Sequence, residues 1–173
     1  MASEEPKFSL INRVGDVEIR NYSPMILAEV SVNGTMESAS ASGFGMIADF
    51  IFGNNTTKNS ESEKIKMTVP VVISRKSDHW SFYFVMPSKY SVDSLPKPNN
   101  SQIKIKQVKD RRCAVLRFSG KANEEKFNAK AQELMNWIKA KNLKIIGMPE
   151  LARYNPPWTL PFLRRNEVLI EVE

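Results

Sequence analysis

The sequence predicts an α+β fold, an antiparallel sheet of about eight strands curled towards a barrel, with two helices packed outside it. Three observations carry this. First, Val17–Gly34 lies without a gap over Ile103–Gly120, 86 residues later, with Ile19/Ile105, Ala28/Ala114 and Gly34/Gly120 identical. The same offset pairs Pro70 with Pro156 and Trp80–Pro87 with Asn166–Glu173. Second, each half reads strand, strand, helix, strand, strand, and neither half could bury its apolar face alone. Third, 173 residues at 42% hydrophobic content suit one domain with a sizeable core.

Val17–Arg20 and Met25–Val32 read as strands around a turn at Tyr22-Ser-Pro24, since Ala28, Val30 and Val32 share a face at strand periodicity. Ser38–Phe52 reads as a helix, closed by Gly53-Asn-Asn. Asn54–Glu63 is polar and aperiodic and is expected to be a mobile loop. Lys66–Ser74 and Trp80–Met86 form a hairpin around Arg75–Asp78. After a short Pro/Asn linker, Ser91–Gln102, the second half repeats the order. Ile103–Val108 and Ala114–Phe118 are strands. Asn123–Asn142 is a helix with Asn123 as N-cap, Glu124 and Glu125 in its first turn and Lys139 and Lys141 in its last. Leu143–Gly147, a Pro-rich loop and the closing strand Glu167–Val172 complete the chain.

Charge is divided between the halves. Residues 1–86 hold 8 Lys+Arg against 10 Asp+Glu, and residues 87–173 hold 17 against 9. A basic half can attract nucleic acid, anionic lipid or a carboxylate-bearing small molecule. Nucleic acid is not expected, because Lys104, Lys106 and Lys109 alternate along one strand with no aromatic among them. No apolar run is long enough to span a membrane, and no secretory leader is visible. With a single cysteine, Cys113, these features lead us to expect a cytoplasmic protein. Cys113 shares a strand face with Val115 and is expected to pack structurally.

The two helices are not equivalent. Helix two carries one apolar stripe, Phe127, Ala131, Leu134, Met135 and Ile138. Helix one carries a core stripe of Phe44, Ile47, Ala48 and Ile51, with Met46 and Phe50 on a second ridge, Phe52 beyond them and Asp49 as its only charge after Glu37. Leaving Met46 and Phe50 in water forgoes burial of about 1.5–3 kcal/mol each. Something must cover them: the chain's own loops, a ligand, a membrane surface, or a protein partner such as a second copy forming a homodimer through helix one.

The Pro-rich loop has matching character. Tyr154–Val168 sets Trp158, Leu160, Phe162 and Leu163 among prolines, which hold apolar groups without a surrounding sheet. Arg164 and Arg165 follow, and guanidinium groups suit bidentate carboxylate pairing. Two arrangements satisfy these residues. Trp158 and Phe162 plug the barrel while the arginines pair with Glu167 or Glu171, or the loop and helix one together hold a planar apolar ligand with acidic arms.

Catalytic constellations are missing. Ser77-Asp78-His79 lies on one turn and cannot adopt triad geometry. There is no nucleophile elbow, phosphate-binding glycine loop or Cys/His metal spacing, and the acidic pairs Asp16/Glu18 and Glu61/Glu63 read as solvated. No enzymatic activity is expected.

The chain resembles the SOUL haem-binding protein family. The resemblance rests on Val17–Ile19 through Val30, Ile47–Asn55, Lys66-Met-Thr-Val-Pro70, Phe82–Pro87, and Tyr154-Asn-Pro-Pro157 leading into Arg164-Arg-Asn-Glu-Val168. It implies a distorted eight-stranded barrel with two helices and a pseudo-twofold repeat, a single SOUL-type domain over 1–173 with halves at about 17–87 and 103–173. It also implies a non-enzymatic carrier, buffer or scavenger of haem or a related tetrapyrrole. Carried over by position, the cleft is Met46, Phe50 and Phe52 facing Trp158, Leu160 and Phe162, with Arg164 and Arg165 near the propionates. The alternative is an interaction or effector-sensing module that binds a partner helix or an amphipathic small molecule through the same patch. Strong axial ligation is not expected: the single histidine, His79, lies beside a hairpin turn, leaving Met46 or Tyr154 as opportunistic ligands.

Overall fold

The computed structural model describes residues 2–173. The elements run β1 (Phe8–Val14), β2 (Val17–Tyr22), β3 (Met25–Val32), α1 (Met36–Ile51), β4 (Asn55–Thr56), β5 (Val71–Arg75), β6 (Trp80–Val85) and β7 (Lys97–Pro98). They continue β8 (Lys104–Val108), β9 (Arg111–Phe118), α2 (Glu124–Ala140), β10 (Glu150–Arg153), a 3-10 turn (Pro161–Leu163) and β11 (Asn166–Glu171). Nine strands form one antiparallel sheet in the order β1-β2-β9-β11-β10-β5-β6-β3-β8, and β4 pairs with β7 separately. The sheet curls into a half-barrel whose end strands β1 and β8 do not pair, with nine strands where a distorted barrel of about eight was expected.

The ninth strand, β1, is absent from the sequence-based expectation; Phe8, Leu10 and Val14 alternate along it, yet all seven of its residues are exposed. Leu143–Gly147 contributes only an isolated bridge, Ile145 to Val172, and the strand of that region is β10. The expected strand at Lys66 starts only at Val71, because Pro70 offers no ladder N–H. Asn54–Glu63 is pinned rather than loose. The buried Asn55 side chain donates to the Phe50 and Glu63 carbonyls at 2.8 Å each and accepts from the Glu63 N–H at 3.0 Å.

Register follows the internal spacing over much of the sheet. Ile19 lies opposite Ala114 and Ala28 opposite Ile105. Val30 faces Phe82, and Leu116 faces Val168. The halves differ in two connections: residues 52–70 join α1 to β5, whereas residues 141–149 join α2 to β10. Residues 76–79 join β5 to β6, whereas residues 154–165 join β10 to β11.

Both helices lie on the convex face, α1 against β3, β5 and β6 and α2 against β9 and β11. Thr35 caps α1 by accepting the Ser38 N–H, and Asn123 caps α2 by accepting that of Lys126. The buried stripe of α1 is Met36, Ala39, Gly43, Ile47, Ala48, Phe50 and Ile51, which includes the expected Ile47, Ala48 and Ile51. A Cβ on Gly43 would stand 2.7 Å from the Phe82 ring, so glycine there lets α1 settle onto the sheet. This rotates the helix from the expected orientation: Phe50 is fully buried, while Phe44 is 41% exposed. Reading only the large side chains hid the stripe, because small Ala39 and Gly43 continue the line that Ile47 and Phe50 define.

Candidate functional site

The β10–β11 connection is ordered by its own polar groups. The Arg164 guanidinium donates to the carbonyls of Thr159 (2.8 Å) and Pro157 (2.6 Å). The Arg165 N–H donates to Asn155 Oδ1 at 2.6 Å, and Gly120 N–H donates to the Pro161 carbonyl at 2.8 Å. The scaffold holds apolar side chains in solvent: Trp158 is 83% exposed and Phe162 72%, with Leu160 and Leu163 also exposed. They do not plug the sheet. Four large apolar groups within six residues, fixed rather than collapsed, form the kind of patch that marks a binding surface.

The two arginines next to this patch are engaged elsewhere. Arg164 holds the loop's carbonyls. Arg165 pairs with Glu167 at 3.2 Å and Glu5 at 2.9 Å, and its guanidinium stacks 3.8 Å from the Tyr154 ring centroid. Neither presents a free fork to a ligand.

On the helix side, the expected residues are not gathered with the loop. Phe50 belongs to the core, and Met46 is partly buried against it. Met46 also lies about 160° round the helix from Phe44. Phe52 is exposed at the C-cap of α1. It lies twelve residues, or about 18 Å of helix, beyond Ser40. Ser40 is where α1 meets β10, because Arg153 Nη2 donates to Ser40 Oγ at 2.6 Å. One turn on from Ser40, Phe44 leans on Phe84 with ring centroids 5.6 Å apart. The part of α1 beside the loop's base is thus Glu37, Ser40 and Phe44.

Cross-strand register fixes what lies beneath. Phe84, Val71, Arg153, Asn166 and Phe118 sit side by side across β6, β5, β10, β11 and β9. Arg153 is the charged member of this row. Its Nε is buried without a partner, and its single hydrogen bond within the protein goes to Ser40. Burial pulls its pKa below the ordinary value, with the charge of Glu37, which makes no salt bridge to it, opposing.

The concave face carries the groups that sequence reasoning missed. Arg20 forks onto Glu167 at 2.9 and 2.8 Å and donates to Glu18 and the Tyr22 hydroxyl. Arg111 pairs with Glu150 at 2.6 Å, and the Tyr83 hydroxyl donates to the same carboxylate. Glu18, expected to be solvated, is bonded to Arg13 and Arg20 and is nearly enclosed. Burial pushes its carboxyl up, but the two arginines outweigh that and hold it below the ordinary value. The alternation Glu18, Arg20, Tyr22 on one face of β2 was the available signal. The Tyr154 hydroxyl donates to Glu167 at 2.5 Å, which turns it away from α1 and from any ligand on the convex side.

Beside this network lies a cavity of about 480 Å3, walled by Met25, Val85, Met86 and Tyr90 and bordered by Glu4 and Pro6 of the N-terminal segment. His79 pairs with Asp78 in the β5–β6 turn, at the opposite end of β5 from Val71 and Arg153. Cys113 is buried, and burial pushes its thiol up to about 12. Among the described residues no group of three or more His, Cys, Asp or Glu could hold a metal, and no helix is long and apolar enough to cross a membrane.

Comparison with known proteins adds a family and a fold. The family profile described as "SOUL heme-binding protein" matches residues 3–171. Among curated proteins there is no match. The EcmrR C-terminal domain superposes with a TM-score of 0.69 at 11% identity, covering 91% of this chain and 96% of its own. A hydrolase from Listeria innocua follows at 0.61 and 11% identity, covering 94% of each chain. SAV2435 bound to tetraphenylphosphonium gives 0.52 at 13% identity, over 91% of this chain and 93% of its own. At these identities the structures share the fold alone.

Proposed function

This chain belongs to the SOUL heme-binding protein family, and from that premise we propose that it is a non-enzymatic binder of haem or a related tetrapyrrole, acting as a carrier, buffer or scavenger. One observation carries the reading: Trp158, Leu160, Phe162 and Leu163 stand exposed on a loop held rigid by Arg164 and Asn155. A planar apolar ligand covers such a surface without ordering it, which lowers the entropic cost of binding. From α1 the contributing residue is Phe44 in place of Met46 and Phe50. The same reading takes the halves as two copies of a ββαββ unit, with the longer β10–β11 connection as the departure that made a site.

The residues present fit a porphyrin face better than an iron bond. Residues 155–165 contain no His, Cys, Met or Tyr, and the Tyr154 hydroxyl is engaged by Glu167 on the other face. When bound, a haem would supply its own redox iron. The protein's part is to present an apolar plane and to meet the acidic arms.

The test is a titration of purified protein with haemin and with iron-free protoporphyrin, following the Soret band. Equal affinity for both is expected. Binding of haemin alone would require an iron ligand and overturn the ligation reading. Failure of both, compared with an unrelated protein, would end the tetrapyrrole reading.

The cavity beside the N-terminal segment supports a second reading, an effector-sensing module for an amphipathic small molecule. SAV2435, of like fold, is bound to tetraphenylphosphonium. The cavity offers such a cation the carboxylates of Glu4, Glu5 and Asp110 beside apolar Met25, Val85 and Met86. Saturable binding of tetraphenylphosphonium that porphyrin does not displace would support this reading.

A further inference from the structure

We propose that Arg153 is the carboxylate anchor of the tetrapyrrole site, holding one propionate group where β10, α1 and the loop 154–165 meet. The inference rests on the tetrapyrrole reading above and assigns the charged contact that the reading leaves open.

The assignment comes from how each buried or neighbouring guanidinium is satisfied. Arg20 and Arg111 have Glu167 and Glu150. Arg165 has Glu167 and Glu5. Arg164 holds two loop carbonyls. Arg153 alone of these five has neither a carboxylate nor a pair of carbonyls: Nη2 reaches Ser40 Oγ, and Nε is enclosed with no acceptor. A guanidinium carries five N–H donors in a planar fork, and one hydrogen bond leaves that fork largely unused. A half-buried cation whose Nε is shut off from water and whose fork is unfilled is a strong site for an anion, because charge-assisted bidentate bonds strengthen as water is excluded.

Position argues for a carboxylate on an apolar ring rather than a free anion. Arg153 is the residue immediately before the loop that displays Trp158 and Phe162. Its partner Ser40 lies one helical turn from half-exposed Phe44. Phe84, against which Phe44 leans, is two strands from Arg153 in the same cross-strand row, or about 10 Å at the usual strand spacing. An apolar plane and a cation are thus set within reach of one small amphipathic acid. Loss of water from the guanidinium already depresses its pKa, and an incoming carboxylate would relieve that.

The test titrates the full chain with iron-free protoporphyrin and with its dimethyl ester, in wild type, Arg153→Gln and Arg153→Lys, with thermal melts recorded for each. Wild type should prefer the free acid by about tenfold, as expected for a half-buried charge-assisted pair. Arg153→Gln should lose that preference while ester affinity stays within about twofold, and Arg153→Lys should retain only part of it. Equal wild-type affinity for acid and ester would overturn the anchor while leaving the tetrapyrrole reading intact, with no variant needed. A folded Arg153→Gln that keeps the full preference would overturn it as well. Failure of wild type to bind either compound would remove the tetrapyrrole reading, and this assignment with it.

Discussion

Arg20 and Glu167, 147 residues apart in sequence, meet through two parallel hydrogen bonds of 2.9 and 2.8 Å on the concave face of the sheet. Their side chains are 4% and 0% exposed. Burial pushes the Glu167 carboxyl up, but the hydrogen bonds from Arg20 and Tyr154 and the charges of Arg20 and Arg165 outweigh it, leaving its pKa below the ordinary value of 4.5. A depressed folded-state pKa gives stability that is present above the unfolded value and is lost as pH falls through the folded one. Stability should therefore decline as pH drops below about 4.5. Glu167→Gln should flatten that decline and, at neutral pH, cost about 1–3 kcal/mol by removing the forked carboxylate and leaving Arg20 with Glu18 as its one counter-charge. Urea unfolding at pH 7 and at pH 3.5–5 measures both effects. A Gln variant with wild-type stability at pH 7 would show that the pair does not support the fold.

Cys113 tests the same face from another side. It is wholly buried on β9, and burial pushes its thiol up to about 12. In the native protein at pH 8 it should therefore be inert to a thiol reagent, since the thiolate is the nucleophile. Labelling should proceed at the rate of unfolding and accelerate in urea. The sign of the shift adds a pH effect: a raised folded-state pKa contributes stability that erodes as pH climbs above the unfolded value of 9.0. Rapid native labelling at pH 8 would mean that the concave face opens readily.

The legibility of this molecule divides by how its residues are buried. The apolar alternation of β3 and the recurring strand order announced an antiparallel sheet, though not its register. Asn123 announced the start of α2. What escaped were features whose signal is small or polar. Ala39 and Gly43 carry little hydrophobic weight, yet they decide which way α1 turns. Glu18, Arg20 and Tyr22 look like a solvated strand face until Glu167 arrives from the far end of the chain. The loop's aromatics were legible as a patch because no strand or helix claimed them. The pairing of Arg165 with Glu167 was one of the two arrangements the sequence offered, but the role of Arg164 was not legible, because backbone carbonyls leave no trace in composition. Arg153 sat in a strand with nothing to distinguish it, and only its missing partner draws notice.

Phe44 and Phe50 separate packing from binding on one helix. Phe50 is fully enclosed in the core beneath α1. Phe50→Ala should cost about 3–5 kcal/mol of stability through the cavity it leaves. Phe44 is 41% exposed and rests on Phe84, so Phe44→Ala should cost about 1 kcal/mol or less and instead weaken porphyrin affinity by several-fold. Thermal melts paired with Soret titrations check this. The converse pattern, with a stable Phe50→Ala that binds poorly, would restore the orientation of α1 expected from its large side chains.

Trp158 and Arg164 should both reduce porphyrin binding, by routes that can be told apart. Trp158 is 83% exposed, so Trp158→Ala should leave the melting temperature within about 1–2 °C of wild type and lower affinity about tenfold by removing contact area. Arg164 touches no ligand in this account. It ties the loop together through the Thr159 and Pro157 carbonyls, and Arg164→Ala should free residues 156–163 to sample other conformations. Affinity should fall because the loop must then be ordered at the moment of binding. Amide exchange in the unliganded protein separates the two routes. It should rise across the loop in Arg164→Ala, notably at Thr159 and Leu163, whose N–H groups are bonded within the loop, and should be unchanged in Trp158→Ala. If Arg164→Ala keeps wild-type exchange but binds weakly, the guanidinium is meeting the ligand directly, and its place in the scaffold would have to be withdrawn.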